Sequence, residues 1–293
     1  MDVRRYATAA EYLPEVRAFL EREEAVANLA LGGLIRLASR PEETDEARRP
    51  FYVLASHAGE PALLMARTPP YNMILHAPPP DSVQGAHLQA ACEAGVAFLL
   101  REGLSIPGVI GPRDVSVALA GAWAAQTGEA WQIQMEQMIY RLDAVNDVPL
   151  SPGELIPAQE EHLDLLVDWF VGFSEVTPER QTPEQARERA QGRVAEQSLY
   201  LWQDEQPVSM ALHSRHTERG INVGGVYTPP EFRRRGYATS CVASLSRLLL
   251  EQGYRFCTLY TDLANPTSNS IYQKIGYRPV RASAMIEFVT SDS

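Results

Sequence analysis

The feature that most constrains this chain is that it repeats its own plan. An apolar helical stripe of Leu13, Val16, Phe19 and Leu20 within Glu11–Leu20 returns as Leu163, Leu166, Trp169 and Phe170 within Glu161–Phe170. Each helix follows a short extended stretch and precedes a hairpin. FYVLASHAGEPALLMAR (51–67) reads as strand, glycine-containing turn and strand, and LYLWQDEQPVSMALHS (199–214) repeats it with a shorter turn. A third short strand follows in each half, Met73–His76 and Ile221–Val226. Next come a long helix (His87–Arg101; Ala238–Glu251), a short strand (Gly108–Ile110; Phe256–Thr261), a second helix (Val115–Gln126; Ser268–Lys274) and a closing strand (Gln134–Leu142; Ala284–Val289). A strand–helix–strand unit after a meander predicts an α/β fold of α+β type, with a mixed, mostly antiparallel sheet flanked by helices. The expected domains are 1–146 and 147–293, joined through NDVPLSPGE, where Pro149, Pro152 and Gly153 lie. Pro183–Glu196 adds one helix to the second half, with Thr182 as N-cap and Pro183 in its first turn.

Composition narrows the partners. The 26 basic and 37 acidic residues are spread evenly over both halves, giving a net charge of −11. No basic half exists to track a phosphate backbone, so a nucleic-acid partner is not expected. No apolar run approaches the ~20 residues of a membrane span, and MDVRRYATAAEYLPEV lacks the apolar core of a signal peptide. The expected location is the cytoplasm. Cys92, Cys241 and Cys257 are far apart and follow no metal-ligand spacing, so they read as buried small hydrophobes and no metal is expected.

Two stretches carry chemistry. VYTPPEFRRRGYAT (226–239) leaves a strand and opens a helix, where backbone N–H groups point outward unpaired. Arg233, Arg234 and Arg235 precede Gly236, Tyr237, Ala238 and Thr239. Glycine lets a backbone approach closely, a small residue avoids crowding, and the helix dipole favours an anion such as a pyrophosphate. The bland reading is a solvated arginine cluster at a helix start. In LYTDLANPTSNSIYQKIGY (259–277), Asn265 is the expected N-cap of a short helix with Pro266 behind it, and Tyr272 lies two turns along the same face. An ordinary cap and an ordinary core aromatic are the bland readings here.

Together these stretches resemble the GNAT superfamily of acyl-CoA-dependent N-acyltransferases. Arg233–Ala238 matches its Q/R-x-x-G-x-G/A signature, and Asn265, Ser268, Tyr272, Gly276 and Tyr277 match its closing N-x-x-[AS]-x-x-x-Y-x-x-x-G-[FY] pattern. The likeness covers residues 154–290 in element order. Sequence around both hairpin and signature also resembles a group of bacterial two-domain GNAT proteins. The resemblance implies acetyl-CoA as co-substrate. Pantetheine would lie along a bulged strand beside Val226, Tyr227 and Thr228, with Gly224-Gly225 suited to the bulge. Arg233–Thr239 would hold the pyrophosphate, Asn265 the pantetheine arm, and Tyr272 would stand beside the sulfur as general acid. The implied reaction is acetyl transfer to a primary amine of a small molecule or peptide, by direct attack and with no covalent enzyme intermediate. Many relatives place a glutamate on the signature strand as base, and INVGGV has none. Asp204, His213, His216 and Glu175 are deputies among which spacing does not choose.

The first half departs from the pattern. APPPDSVQGAHLQA (77–90) lacks the arginines and the glycine spacing, and VSVALAGAWAAQ (115–126) lacks the asparagine and tyrosine. It reads as a degenerate copy that has lost CoA binding. The alternative to an enzyme is a catalytically silent acyl-CoA-binding or regulatory protein on the same fold. Acceptor and oligomeric state are not encoded legibly.

Overall fold

A computed structural model describes residues 1–289 apart from 42, 83, 84, 176, 178 and 179. The chain groups into two compact units. Among the described residues, 1–139, 262–264 and 280–289 form the first, and Tyr140–Thr261 with Asn265–Pro279 form the second. The 146/147 division therefore differs from the structure at the end of each half. Residues 140–146 belong with the second unit, and most of the last strand belongs with the first.

In the first unit, β1 (Asp2–Tyr6), β2 (Phe51–His57), β3 (Glu60–Arg67) and β4 (Met73–His76) form an antiparallel meander. β5 (Gly108–Pro112) runs parallel to β4. Much of β6 (Ala130–Leu142) lies in this unit, as does most of β12 (Arg278–Val289), which pairs antiparallel with β5. Strand periodicity of two divides the core. Phe51, Val53 and Ala55 face a cluster with α3 (Leu88–Arg101) and α4 (Arg113–Thr127), whereas Tyr52 and Leu54 face α1 (Ala9–Glu21) and α2 (Asn28–Ala38). α1 begins where Thr8 accepts a hydrogen bond from the Glu11 amide at 3.2 Å.

The second unit repeats the plan with β7 (Glu154–Pro157), α5 (Leu163–Ser174), α6 (Pro183–Ala195), β8 (Leu199–Asp204), β9 (Gln206–Ser214), β10 (Gly220–Tyr227), α7 (Tyr237–Glu251), β11 (Phe256–Asp262) and α8 (Pro266–Ile275). Its strand order is β11-β10-β9-β8-β7. Only the β10–β11 pair is parallel. Leu199, Leu201, Met210 and Leu212 bury one sheet face under α5 and α6, and α7 packs on the other. Thr182 caps α6 and forms a reciprocal capping box with Gln185. This mixed, mostly antiparallel sheet with helices on both faces is the expected fold class. The three cysteines are fully buried, and burial pushes each thiol up to about 12.

Candidate active site

The parallel register of β10 and β11 ends early. Gly220 pairs with Phe256, Ile221 with Cys257 and Asn222 with Thr258, after which both strands run on without pairing each other. On its other side β10 carries the expected bulge. Gly224 pairs with Leu212 and Tyr227 with Met210, so β10 holds one extra residue between them. Gly225 takes φ +57°, and a Cβ there would stand 2.6 Å from the Leu212 side chain. A residue with a Cβ would be strained at that φ and would have to displace the Leu212 side chain. Gly225 and Val226 lie inside the bulge with no register partner.

β10 leads directly to the arginine loop. Arg234 adopts φ +64° and Gly236 φ +81°, and Gly236 caps α7 without a side-chain acceptor. The first-turn amides of Tyr237, Ala238 and Thr239 thus point out of the helix start, flanked by three exposed arginines. Side chains brace the loop from below. Ser151 donates from Oγ to the Arg235 carbonyl at 2.7 Å, and its amide donates to Ser240 Oγ at 2.8 Å. The Tyr237 phenol, buried at the loop's base, donates to Asp204 Oδ2 at 2.6 Å. Arg233 Nε donates to the Thr228 carbonyl at 3.0 Å, and Ser209 Oγ donates to the Tyr227 carbonyl at 3.1 Å. Two of the three expected pantetheine-contacting residues, Tyr227 and Thr228, therefore already use their carbonyls within the protein.

α8 brings the second motif to the same unit. Asn265 is its N-cap, accepting from the Ser268 amide at 3.0 Å through Oδ1, which leaves its Nδ2 as the outward donor. Tyr272 is buried, with its ring centroid 6.1 Å from that of Tyr277 in an edge-on arrangement. Burial pushes its phenol up to about 12, against a smaller opposing effect of Ser268. Gly276 ends the helix in the left-handed region at φ +115°.

The structure separates the deputies for a base. Asp204 is committed to Tyr237. His213 pairs in register with Val223, and burial lowers its imidazole, opposed by a hydrogen bond to the Gln197 backbone. His216 is exposed beyond the end of β9. Glu175 ends α5, one turn past Gly172, against which the Tyr227 hydroxyl packs closely. The buried polar side chain on β10 is Asn222, an amide held by Arg215 and by its own bond to the Val223 carbonyl at 2.8 Å. An amide has no proton-accepting nitrogen, so this position supplies no base. Among the described residues no cluster of metal-ligating side chains occurs.

In the first unit the equivalent strands pair at Met73–Val109 and Ile74–Ile110. A Cβ on Gly111 of β5 would lie 2.5 Å from the Leu75 carbonyl of β4. The segment after β4 opens with Pro78, Pro79 and Pro80, three residues without a backbone N–H. The two halves share elements but not the glycine-started helix after the third strand.

Parallel strands that part beside a bulge, with a glycine-started helix at their mouth, define the second unit as having a GNAT-type fold. Comparison with known proteins agrees. Residues 203–286 match the FR47-like protein family. A GCN5-related N-acetyltransferase from Sphaerobacter thermophilus superposes with TM-score 0.60 at 14% identity, covering 99% of this chain and 96% of that one. A Drosophila protein superposes at 0.65 with 13% identity and 98% coverage of both chains. A tandem GNAT protein from the clavulanic acid biosynthesis pathway gives 0.55 at 13% identity, covering 99% of this chain and all of the other. The chain has the tandem GNAT fold from end to end. A search of curated proteins finds no match.

Proposed function

We propose that the protein is an N-acetyltransferase that moves an acetyl group from acetyl-CoA to a primary amine of a small molecule or peptide. The observation that carries this reading is the early end of the β10–β11 register beside an uncapped start of α7. An extended amide-bearing arm can add to the open strand edge, and a pyrophosphate can sit on the helix amides of 237–239. The first unit is the non-binding copy. The cytoplasm of a bacterial cell is the proposed setting.

A bound acetyl thioester supplies an activated carbonyl. In this reading the Val226 amide donates to its oxygen as negative charge develops. Arg233, Arg234 and Arg235 add positive charge around the phosphate loop, and Asn265 Nδ2 offers a donor to the arm. As the C–N bond forms and the C–S bond breaks, Tyr272 donates a hydrogen bond to the leaving sulfur. A phenol near 12 does not fully protonate a thiolate of ordinary basicity, whose conjugate acid lies near about 8.5, so solvent completes that transfer. The amine proton leaves to water, because β10 carries no carboxylate.

That same missing carboxylate favours a second reading, a silent acyl-CoA-binding protein. Thiol release from acetyl-CoA, measured against amines, polyamines, aminoglycosides and amino acids, separates the two. Acceptor-dependent release supports the enzyme. Tight acetyl-CoA binding without release from any acceptor supports the silent binder.

A further inference from the structure

We propose that Tyr140, from the strand that closes the first half in sequence, is a positioning residue for the acyl-CoA site of the second unit. The proposal rests on the reading of Asn265 as a contact to the pantetheine arm. Tyr140 is buried near the end of β6 and grouped with the second unit. Its hydroxyl donates to Asn269 Oδ1 at 3.2 Å and accepts from Gln273 Nε2 at 3.1 Å. Asn269 and Gln273 are four residues apart, so one phenol grips two successive turns of α8. Asn269 in turn donates from Nδ2 to the Asn265 carbonyl at 2.7 Å. A continuous chain of hydrogen bonds therefore runs from Tyr140 through Asn269 to Asn265.

The direction of that chain matters. A side-chain amide can present either its oxygen or its nitrogen, and the proton given by Tyr140 selects the oxygen. The nitrogen is then turned toward Asn265, fixing the helix start from which the arm-contacting Nδ2 projects. The other end of α8 is fixed by the following segment of chain. The Asn146 amide donates to the Ile275 carbonyl at 2.8 Å, and Asn146 Nδ2 donates to the Lys274 carbonyl at 3.0 Å. Both clamps come from residues 140–146. Tyr140 thus sets the rotation and seat of α8 through Asn269, without contacting substrate.

The test is calorimetric titration of acetyl-CoA into the full chain, with melting temperature measured in parallel. Tyr140→Phe keeps the ring and removes the proton that orders Asn269. Its dissociation constant should rise about 3- to 10-fold, the size expected of one lost hydrogen bond. Asn269→Ala, on the partly exposed helix face, should weaken binding at least as much. The double variant should bind no worse than Asn269→Ala alone, because both changes break one chain. A merely structural Tyr140 predicts a lower melting temperature with unchanged affinity, and that result overturns the proposal. If Tyr140→Phe does not fold, wild-type affinity in Asn269→Ala overturns it equally. Failure of the wild-type chain to bind acetyl-CoA would instead overturn the functional reading beneath it.

Discussion

At the scale of single residues, Tyr272 shows how one side chain can satisfy two readings at once. It is a buried aromatic against Tyr277, as a core tyrosine would be, and it lies on the helix that also carries Asn265. Burial holds its phenol near 12, so it stays protonated through the whole neutral range. Its titration therefore lies above any practical assay, and a pH–rate profile will not report it. Substitution will. Tyr272→Phe keeps the ring and removes the hydrogen-bond donor, so kcat should fall about 10²- to 10³-fold while acetyl-CoA affinity stays within about twofold. Steady-state kinetics with any accepted amine checks this. Unchanged kcat, with a modest loss of stability, would leave Tyr272 as packing alone. This split is the reverse of that expected for Tyr140, which should alter affinity first.

At the scale of elements, the repeat was readable because hairpins and amphipathic helices are local. Val53 and Tyr52 announce opposite faces by alternation, and Thr182-Pro183 announces a helix start. The bulge was expected from the family resemblance, and the adjacent Gly224 and Gly225 suit it. α2 was not, because Gly32 and Gly33 interrupt its apolar stripe and lower its helix propensity. The grouping of the last strands was not legible either. β12 pairs with β5 through Ser283–Glu287, and nothing in an alternating strand names the sheet edge that will accept it. The clamp on α8 joins residues 129 apart in sequence, beyond any local pattern. One expectation changes as a result. The sequence alone suggests that residues 147–293 suffice for CoA binding, yet that fragment lacks both Tyr140 and Asn146. It should bind acetyl-CoA at least about tenfold more weakly than the full chain, by titration under identical conditions, given two lost anchors of α8. Full-strength binding by the fragment would show that α8 seats itself.

At the scale of the whole molecule, buried titratable groups set the pH range in which the chain is stable. Cys92, Cys241 and Cys257 have thiols raised from an ordinary value of 9.0 to about 12, each by burial first. Tyr52 and Tyr272 have phenols raised from 10.0 to about 12 for the same reason. These groups bind their protons more tightly folded than unfolded. Their stabilisation is complete below pH 9 and is lost progressively as pH rises toward 12, because the unfolded chain ionises first. His76 acts with the opposite sign. Burial, with the Arg281 charge as a smaller cause, lowers its imidazole from 6.5 to about 3, so its contribution is present above pH 6.5 and drains away as pH falls. Stability should therefore show a plateau between about pH 6.5 and 9, with the alkaline edge the steeper because several groups share it. The melting temperature should drop by about 10 °C or more between pH 8.5 and 10.5. Replacing the three cysteines with alanine removes the first-titrating groups on that edge. The triple variant starts lower, from the cavities it opens, but should lose fewer degrees over the same interval. An equal loss in variant and wild type would assign the alkaline edge to the phenols and to the repulsion of a chain already at −11, and not to the thiols.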